Sequence, residues 1–125
     1  MKRLLVVDDM DVMRSVVSAI ARECDFEVHQ ASNGEQALQA LATTRFDAVL
    51  SDWNMPHMNG EEFVRELRDR GASLPVIMVT AEADRAKLQV LMAIGVQGYI
   101  VKPFKPDILR KTLMSLHARL GKTAV

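Results

Sequence analysis

The chain has 125 residues, of which 49% are hydrophobic and 26% charged, a composition and length typical of one domain with a packed core. Lysine plus arginine and aspartate plus glutamate each number 16, so the formal net charge is zero and no block of like charge could follow a phosphate backbone. We therefore expect a single domain over residues 1–125 without an output domain, and neither nucleic acid nor a membrane as a partner.

The N-terminal residues have the pattern of a strand and not that of a secretory signal. Two acids, Asp8 and Asp9, follow only four apolar residues, so the longer apolar region of a signal peptide is missing. We expect a cytoplasmic protein. The single cysteine, Cys24, excludes an intrachain disulfide.

Short apolar runs alternate with longer amphipathic stretches, and this alternation predicts five strand and helix units. The predicted strands cover roughly residues 3–8, 27–31, 48–51, 76–80 and 98–101. The helices between and after them are expected to bury the following apolar side chains, in chain order: Met13, Val16, Val17, Ile20 and Cys24; Ala37, Leu38 and Leu41; Phe63, Val64 and Leu67; Leu88, Leu91 and Met92; Leu109, Leu113, Leu116 and Leu120.

Turn and capping residues agree with this division. Ser32-Asn33-Gly34 is typical of a helix start, Gly71 and Gly95 of helix ends, and Pro106 of a first helical turn. Several strands are continuously apolar, which indicates burial on both faces and therefore a parallel sheet between two helix layers. Ligands of such sheets bind at the carboxyl ends of the strands.

The carboxyl ends of four predicted strands carry polar side chains: Asp8 and Asp9 after the first, Asp52 after the third, Thr80 at the end of the fourth and Lys102 after the fifth. Clustered carboxylates repel one another. A hard divalent ion with oxygen ligands relieves that repulsion, and beside a phosphate this ion is usually Mg²⁺.

Asp52 then has the surroundings of a nucleophile toward a phosphoryl donor, with Lys102 and the metal offsetting the charge on the phosphoryl oxygens and Thr80 donating to one of them. Each residue alone has an ordinary interpretation, since aspartate caps helices, lysine is usually solvated and threonine ends many strands. If each of the five residues had only its ordinary role, their common position at one edge of a parallel sheet would require five independent coincidences.

Four runs of the sequence resemble those of response-regulator receiver domains. Among these domains, the runs are most similar to the CheY-like chemotaxis type. They are Leu5-Val6-Val7-Asp8-Asp9, Ser51-Asp52-Trp53-Asn54-Met55-Pro56 with Gly60 downstream, Val79-Thr80-Ala81-Glu82-Ala83, and Gly98-Tyr99-Ile100-Val101-Lys102-Pro103-Phe104. The resemblance covers essentially the whole chain. It implies a three-layer (βα)5 flavodoxin-like fold with parallel strands in the order 2-1-3-4-5, and a cis Lys102-Pro103 bond.

The resemblance also implies roles for individual residues. Asp52 would accept a phosphoryl group, which Thr80 and Lys102 would bind; Asp8, Asp9, Asp52 and the backbone carbonyl of Asn54 would hold Mg²⁺, for which Mn²⁺ can substitute. Tyr99 would act with Thr80 as the switch, and Asn54 and Glu82 would tune loss of the phosphate.

The partners implied are a histidine kinase or histidine phosphotransfer protein and a downstream protein target, with the flagellar motor switch as one candidate. We expect a monomer. A receiver outside chemotaxis and a phosphorelay intermediate are the alternatives within the family.

Two alternatives belong to other classes. A phosphatase of the haloacid-dehalogenase type also combines an aspartate nucleophile, Mg²⁺, a threonine and a lysine, but its first motif is Asp-x-Asp and its late motif is acidic. Here the acids are adjacent and the late motif is Lys102-Pro103. A flavodoxin-like nucleotide binder would need a glycine-rich loop after the first strand, which this sequence lacks.

Overall fold

Strands and helices alternate in the computed structural model, which describes residues 1–81 and 84–121. The strands are β1 (Lys2–Val7), β2 (Phe26–Ala31), β3 (Ala48–Asp52), β4 (Val76–Thr80) and β5 (Gly98–Val101). The helices are α1 (Asp11–Glu23), α2 (Gly34–Thr43), α3 (Gly60–Asp69), α4 (Arg85–Ala93) and α5 (Pro106–Gly121). The five predicted strands are confirmed, and no strand end is displaced by more than one residue.

All five strands form one parallel sheet in the order β2-β1-β3-β4-β5, as the resemblance implied. The register aligns the carboxyl ends of the strands. Val7 of β1 pairs with Ala31 of β2 and Ser51 of β3, Asp52 pairs with Val79, and Thr80 pairs with Val101. The residues that follow these pairs therefore emerge at the same edge of the sheet.

Each face of the sheet is covered by its own hydrophobic core, which confirms the three-layer architecture. Alternate strand residues point to opposite faces. In β4, Met78 belongs to the core shared with α2, α3 and α4, whereas Ile77 belongs to the core shared with α1 and α5. The innermost side chains, such as Phe63 and Leu113, have no exposed surface.

Helix ends follow the capping residues seen in the sequence. Asn33 caps α2 by accepting from the Gln36 N–H. At the start of α3, Asn59 and Glu62 form a capping box that was not predicted. Gly71 and Gly95 have φ of +85° and +90°, as expected for residues that end helices in the left-handed region. Pro106 is the first residue of α5.

The prediction that Val16 and Met92 are buried is wrong: Val16 is 46% exposed and Met92 is 56% exposed. Each directly adjoins a buried residue, Val17 in α1 and Leu91 in α4. Neighbouring helical positions are about 100° apart around the helix axis. Where the buried stripe is narrow, one of two neighbouring residues therefore faces solvent.

Among the described residues, no helix is long and apolar enough to cross a bilayer.

Candidate functional site

The fold brings the acids of the predicted site together. Asp8 follows β1, Asp9 follows Asp8, and Asp52 is the last residue of β3. One carboxylate oxygen from each of the three lies within 4.8 Å of the others. The side chains of Asp8 and Asp52 are buried, whereas Asp9 is exposed, so the cluster reaches from the interior to the surface.

Lys102 lies against the acid at the centre of this edge. Its Nζ donates a hydrogen bond to Oδ1 of Asp52 at 2.9 Å, and its side chain is only 20% exposed. The backbone N–H of Lys102 donates to the carbonyl of Thr80 at 2.7 Å, which connects the end of β5 to the end of β4. The Lys102-Pro103 bond is cis, as the resemblance implied.

The electrostatics of the cluster are unfavourable for three ionised acids. Burial raises the pKa of Asp8, and the neighbouring charges of Asp52 and Asp9 raise it further. The Met10 N–H, which donates to Oδ1 of Asp8 at 2.9 Å, and the charge of Lys102 lower that pKa in part. One lysine against three carboxylates leaves an excess of negative charge. Oxygen ligands of this kind suit a hard divalent cation.

The loop after β3 is held in place by the buried Trp53 and by Gly60. The Trp53 N–H donates to the carbonyl of Val79, and the Trp53 carbonyl accepts from the Gly60 N–H, each at 2.8 Å. A Cβ at Gly60 would lie 3.0 Å from the Cα of Trp53 and 2.7 Å from the sulfur of Met78, so any larger residue would force the buried Met78 side chain and the backbone at Trp53 to shift. Asn54, in the same loop, is exposed.

A contact that the sequence did not predict connects this loop to α4. The Nζ of Lys87 lies 4.2 Å from the centroid of the Trp53 ring, within the range of a cation–π interaction. Lys87 is in the first turn of α4, where Asp84 caps the helix. Trp53, the residue after Asp52, is therefore in contact with a surface helix. This contact could not be predicted, because sequence periodicity does not show which helical lysine meets an aromatic residue in a loop.

The two residues predicted to act as a switch lie on adjacent strands but differ in exposure. Thr80 is fully buried and pairs in register with Val101, whereas Tyr99, two residues earlier on β5, is 44% exposed. Tyr99 lines a surface depression of about 550 Å³ with Arg85, Leu88, Gln89 and Met92. Glu82, predicted to tune phosphate loss, lies outside the described residues.

Residues 4–114 match the response regulator receiver domain. The chain belongs to this family. It is 37% identical over 122 residues to the chemotaxis protein CheY of Pseudomonas aeruginosa, an alignment that covers 95% of this chain and 98% of that protein. It is 39% identical over 121 residues to CheY-3 of Vibrio cholerae, covering 94% of this chain and 93% of that protein.

Solved receiver structures agree with this assignment. The chemotaxis protein CheY4 of Vibrio cholerae superimposes with a TM-score of 0.86 at 39% identity, covering 93% of this chain and 98% of that one. The receiver domain of the Francisella response regulator 1452 gives a TM-score of 0.88 at 26% identity, over 95% and 98% of the two chains. This receiver is thus closely related to CheY chemotaxis response regulators, and a haloacid-dehalogenase phosphatase is not supported.

Membership also gives the general character of the protein. A receiver of the CheY type is a signalling protein with a histidine kinase upstream and a target downstream. Receiver domains bind Mg²⁺ at an acidic pocket. Among the residues that the structure describes, Asp8, Asp9 and Asp52 form a cluster that could serve as such a pocket.

The raised pKa of Asp8 leads to a prediction about stability without metal. A carboxyl group whose pKa is higher in the folded than in the unfolded chain lowers the stability as the pH rises above its ordinary value of 3.8, because the unfolded chain gives up that proton more readily. Asp8→Asn should therefore increase the free energy of unfolding at pH 7 in metal-free buffer, since asparagine keeps an acceptor for the Met10 N–H. The gain should shrink as the pH is lowered toward 3.8.

Urea unfolding at stepped pH in the presence of a chelator measures this difference. Asp69→Asn, which removes an exposed carboxylate at the end of α3, is the matched control and should change the stability little. A less stable Asp8→Asn at pH 7 would contradict the electrostatic interpretation of the cluster.

Proposed function

We propose that the chain works as a stand-alone response regulator that accepts a phosphoryl group on Asp52 from a histidine kinase or a histidine phosphotransfer protein. The observation that carries this proposal is the position of Asp52. Its buried carboxylate ends the central strand of the sheet, with the acid pair on one side and the Nζ of Lys102 at 2.9 Å. A nucleophile, a cation and a group of oxygen ligands thus meet at one point.

The reaction follows from this arrangement. An oxygen of Asp52 forms a bond to phosphorus in line with the breaking bond to the donor nitrogen, and the electron pair of that bond remains on the imidazole. Lys102, which already donates a hydrogen bond to Asp52, neutralises charge on the phosphoryl oxygens, and the hydroxyl of Thr80 donates to one of them.

We propose Asp8, Asp9, Asp52 and the backbone carbonyl of Asn54 as the residues that hold Mg²⁺, with Mn²⁺ as a substitute because it prefers similar oxygen ligands. When bound, the ion supplies positive charge to the phosphoryl oxygens. The excess of carboxylates over cations in the cluster supports this choice.

The same site would also remove its own phosphate. A water attacking phosphorus in line with the bond to Asp52 regenerates the carboxylate and releases inorganic phosphate. Asn54, exposed beside the site, and Glu82 are the proposed residues that tune the rate of this loss. The protein would therefore catalyse only its own phosphorylation and dephosphorylation, with no turnover of external phosphate esters.

The signal would leave the site through Thr80 and Tyr99. A phosphoryl group on Asp52 attracts the hydroxyl of Thr80, and movement of Thr80 inward leaves space that the ring of Tyr99 can fill. The ring is 44% exposed beside α4, so an inward rotation would change the surface around Met92 and Leu88. Phosphate would then shift an equilibrium between two arrangements of this surface.

We propose chemotaxis as the pathway, with the flagellar motor switch as the candidate target, because the chain is 37–39% identical over most of its length to proteins named chemotaxis protein CheY and CheY-3. The protein would act as a cytoplasmic monomer without nucleic acid or membrane as a direct partner. Its zero formal net charge supports the first of these exclusions.

The assignment of Asp52 is tested by chemical phosphorylation. A small phosphodonor such as acetyl phosphate, with Mg²⁺, should add the mass of one phosphoryl group to the intact chain, and labelling of Asp52→Asn should fall to background because the nucleophile is gone. Asp47→Asn is the matched control: Asp47 lies just before β3, at the opposite end from Asp52, and should not affect labelling. Normal labelling of Asp52→Asn would contradict the proposal.

The proposed switch is tested on the only tyrosine of the chain. With Tyr99 replaced by 3-fluorotyrosine, phosphorylation should shift its ¹⁹F resonance, because the ring moves from a half-exposed to a buried position. Thr80→Ala should become phosphorylated and lose most of that shift. Thr43→Ala, on α2, should keep it. An unreduced shift in phosphorylated Thr80→Ala would contradict the coupling and leave the phosphoacceptor assignment intact.

A further inference from the structure

We propose that Arg14 of α1 is a positioning residue for Asp8, an inference that rests on the proposed Mg²⁺ site. The guanidinium of Arg14 donates three hydrogen bonds: from Nη1 to the backbone carbonyl of Asp8 at 2.7 Å, from Nε to Oε1 of Gln30 at 3.0 Å, and from Nη2 to Oδ1 of Asp11 at 2.6 Å. Its acceptors belong to β2, to α1 and to the loop between β1 and α1.

Arg14 completes a set of bonds that fixes Asp8 at both sides of its Cα. The Asp8 N–H donates to the carbonyl of Ala31 at 3.1 Å, and the Asp8 carbonyl accepts from Arg14. The carboxylate accepts from the Met10 N–H through Oδ1. With the backbone held on each side, the direction in which the carboxylate leaves the chain is determined by the loop and not by solvent.

The three contacts of Arg14 are unequal in importance. Asp11 is 86% exposed, and an ion pair at such a position adds little stability. The bond to the Asp8 carbonyl is part-buried, and the arginine side chain itself is only 16% exposed. The bond to Gln30 is also exposed, but it connects the guanidinium to β2 and so helps to keep Nη1 directed at the carbonyl.

Arginine suits this position because its guanidinium is planar and presents several donors in fixed directions. A lysine has the same charge, but its ammonium is a single centre at the end of a flexible chain. A lysine at this position can donate to the Asp8 carbonyl, but it lacks the second, coplanar donor that Arg14 directs at Gln30 of β2. The proposed role is therefore geometric: Arg14 contacts the backbone of a metal-binding residue and acts on the ion through that residue.

Calorimetric titration of Mg²⁺ into the unphosphorylated chain tests this role. Arg14→Met should weaken Mg²⁺ binding about tenfold, the usual effect of losing a residue that orients a metal ligand. Arg14→Lys should fall between Arg14→Met and the unmodified chain. Arg22→Met is the matched control, since it removes the same charge from the last turn of the same helix, and it should bind Mg²⁺ as the unmodified chain does. Urea unfolding in chelator reports the stability of each variant without metal.

Each outcome decides the inference. Mg²⁺ affinity in Arg14→Met equal to that of the unmodified chain would overturn it. An equal loss in Arg22→Met would also overturn it, because the loss would then not depend on the contacts of Arg14; removal of a positive charge by itself favours cation binding. Full affinity in Arg14→Lys would overturn the geometric role, because a single ammonium at the Asp8 carbonyl would then be enough; this variant also decides the matter if Arg14→Met does not fold. Failure of the unmodified chain to bind Mg²⁺ would instead contradict the proposed metal site.

Discussion

Mutual repulsion among three carboxylates is the constraint on which the rest of this structure depends. One oxygen each of Asp8, Asp9 and Asp52 lies within 4.8 Å of the others, and two of the three side chains are buried. The parallel sheet makes this crowding unavoidable, because in-register strands deliver the residues that end them to one edge. Lys102 offsets one charge. A divalent cation would relieve the remaining repulsion, and its positive charge would let the site then accept an anionic phosphoryl group, as the proposed function requires.

The surroundings of the cluster are closely packed, which holds the acids near one another. Two hydrophobic cores hold the sheet from both faces, and the loop after β3 is fixed by the close approach of Gly60 to Trp53. The same loop touches α4 through Lys87, so a change of charge at Asp52 is one residue away from a contact with a surface helix. A closely packed site near a half-exposed Tyr99 suits a protein in which a small chemical change is detected at the surface.

Much of this architecture could be predicted from the sequence because the signals are local. The alternation of short apolar runs with amphipathic stretches predicted all five strands to within a residue. Asn33 caps its helix through its side chain, and Gly71 and Gly95 end helices in the left-handed region, as expected for these residue types. The strand order and the cis bond before Pro103 came from family resemblance, since apolar periodicity contains no information about either. Val16 and Met92 were wrong because periodicity locates a helix face only to within one residue. The contacts of Arg14 and Lys87 depend on how loops and helices meet in three dimensions, which no spacing along the chain predicts.

The most direct test of the central claim is a Mg²⁺ titration followed by the fluorescence of Trp53, the only tryptophan of the chain and the residue after Asp52. A cation entering beside Asp52 changes the field at the adjacent indole, so the signal should saturate as one site fills. Asp9→Asn should weaken the apparent affinity by about tenfold or more, because it removes a ligand charge, whereas Asp69→Asn should leave it unchanged. A fluorescence signal indifferent to Mg²⁺, or equally sensitive in Asp9→Asn, would contradict the account.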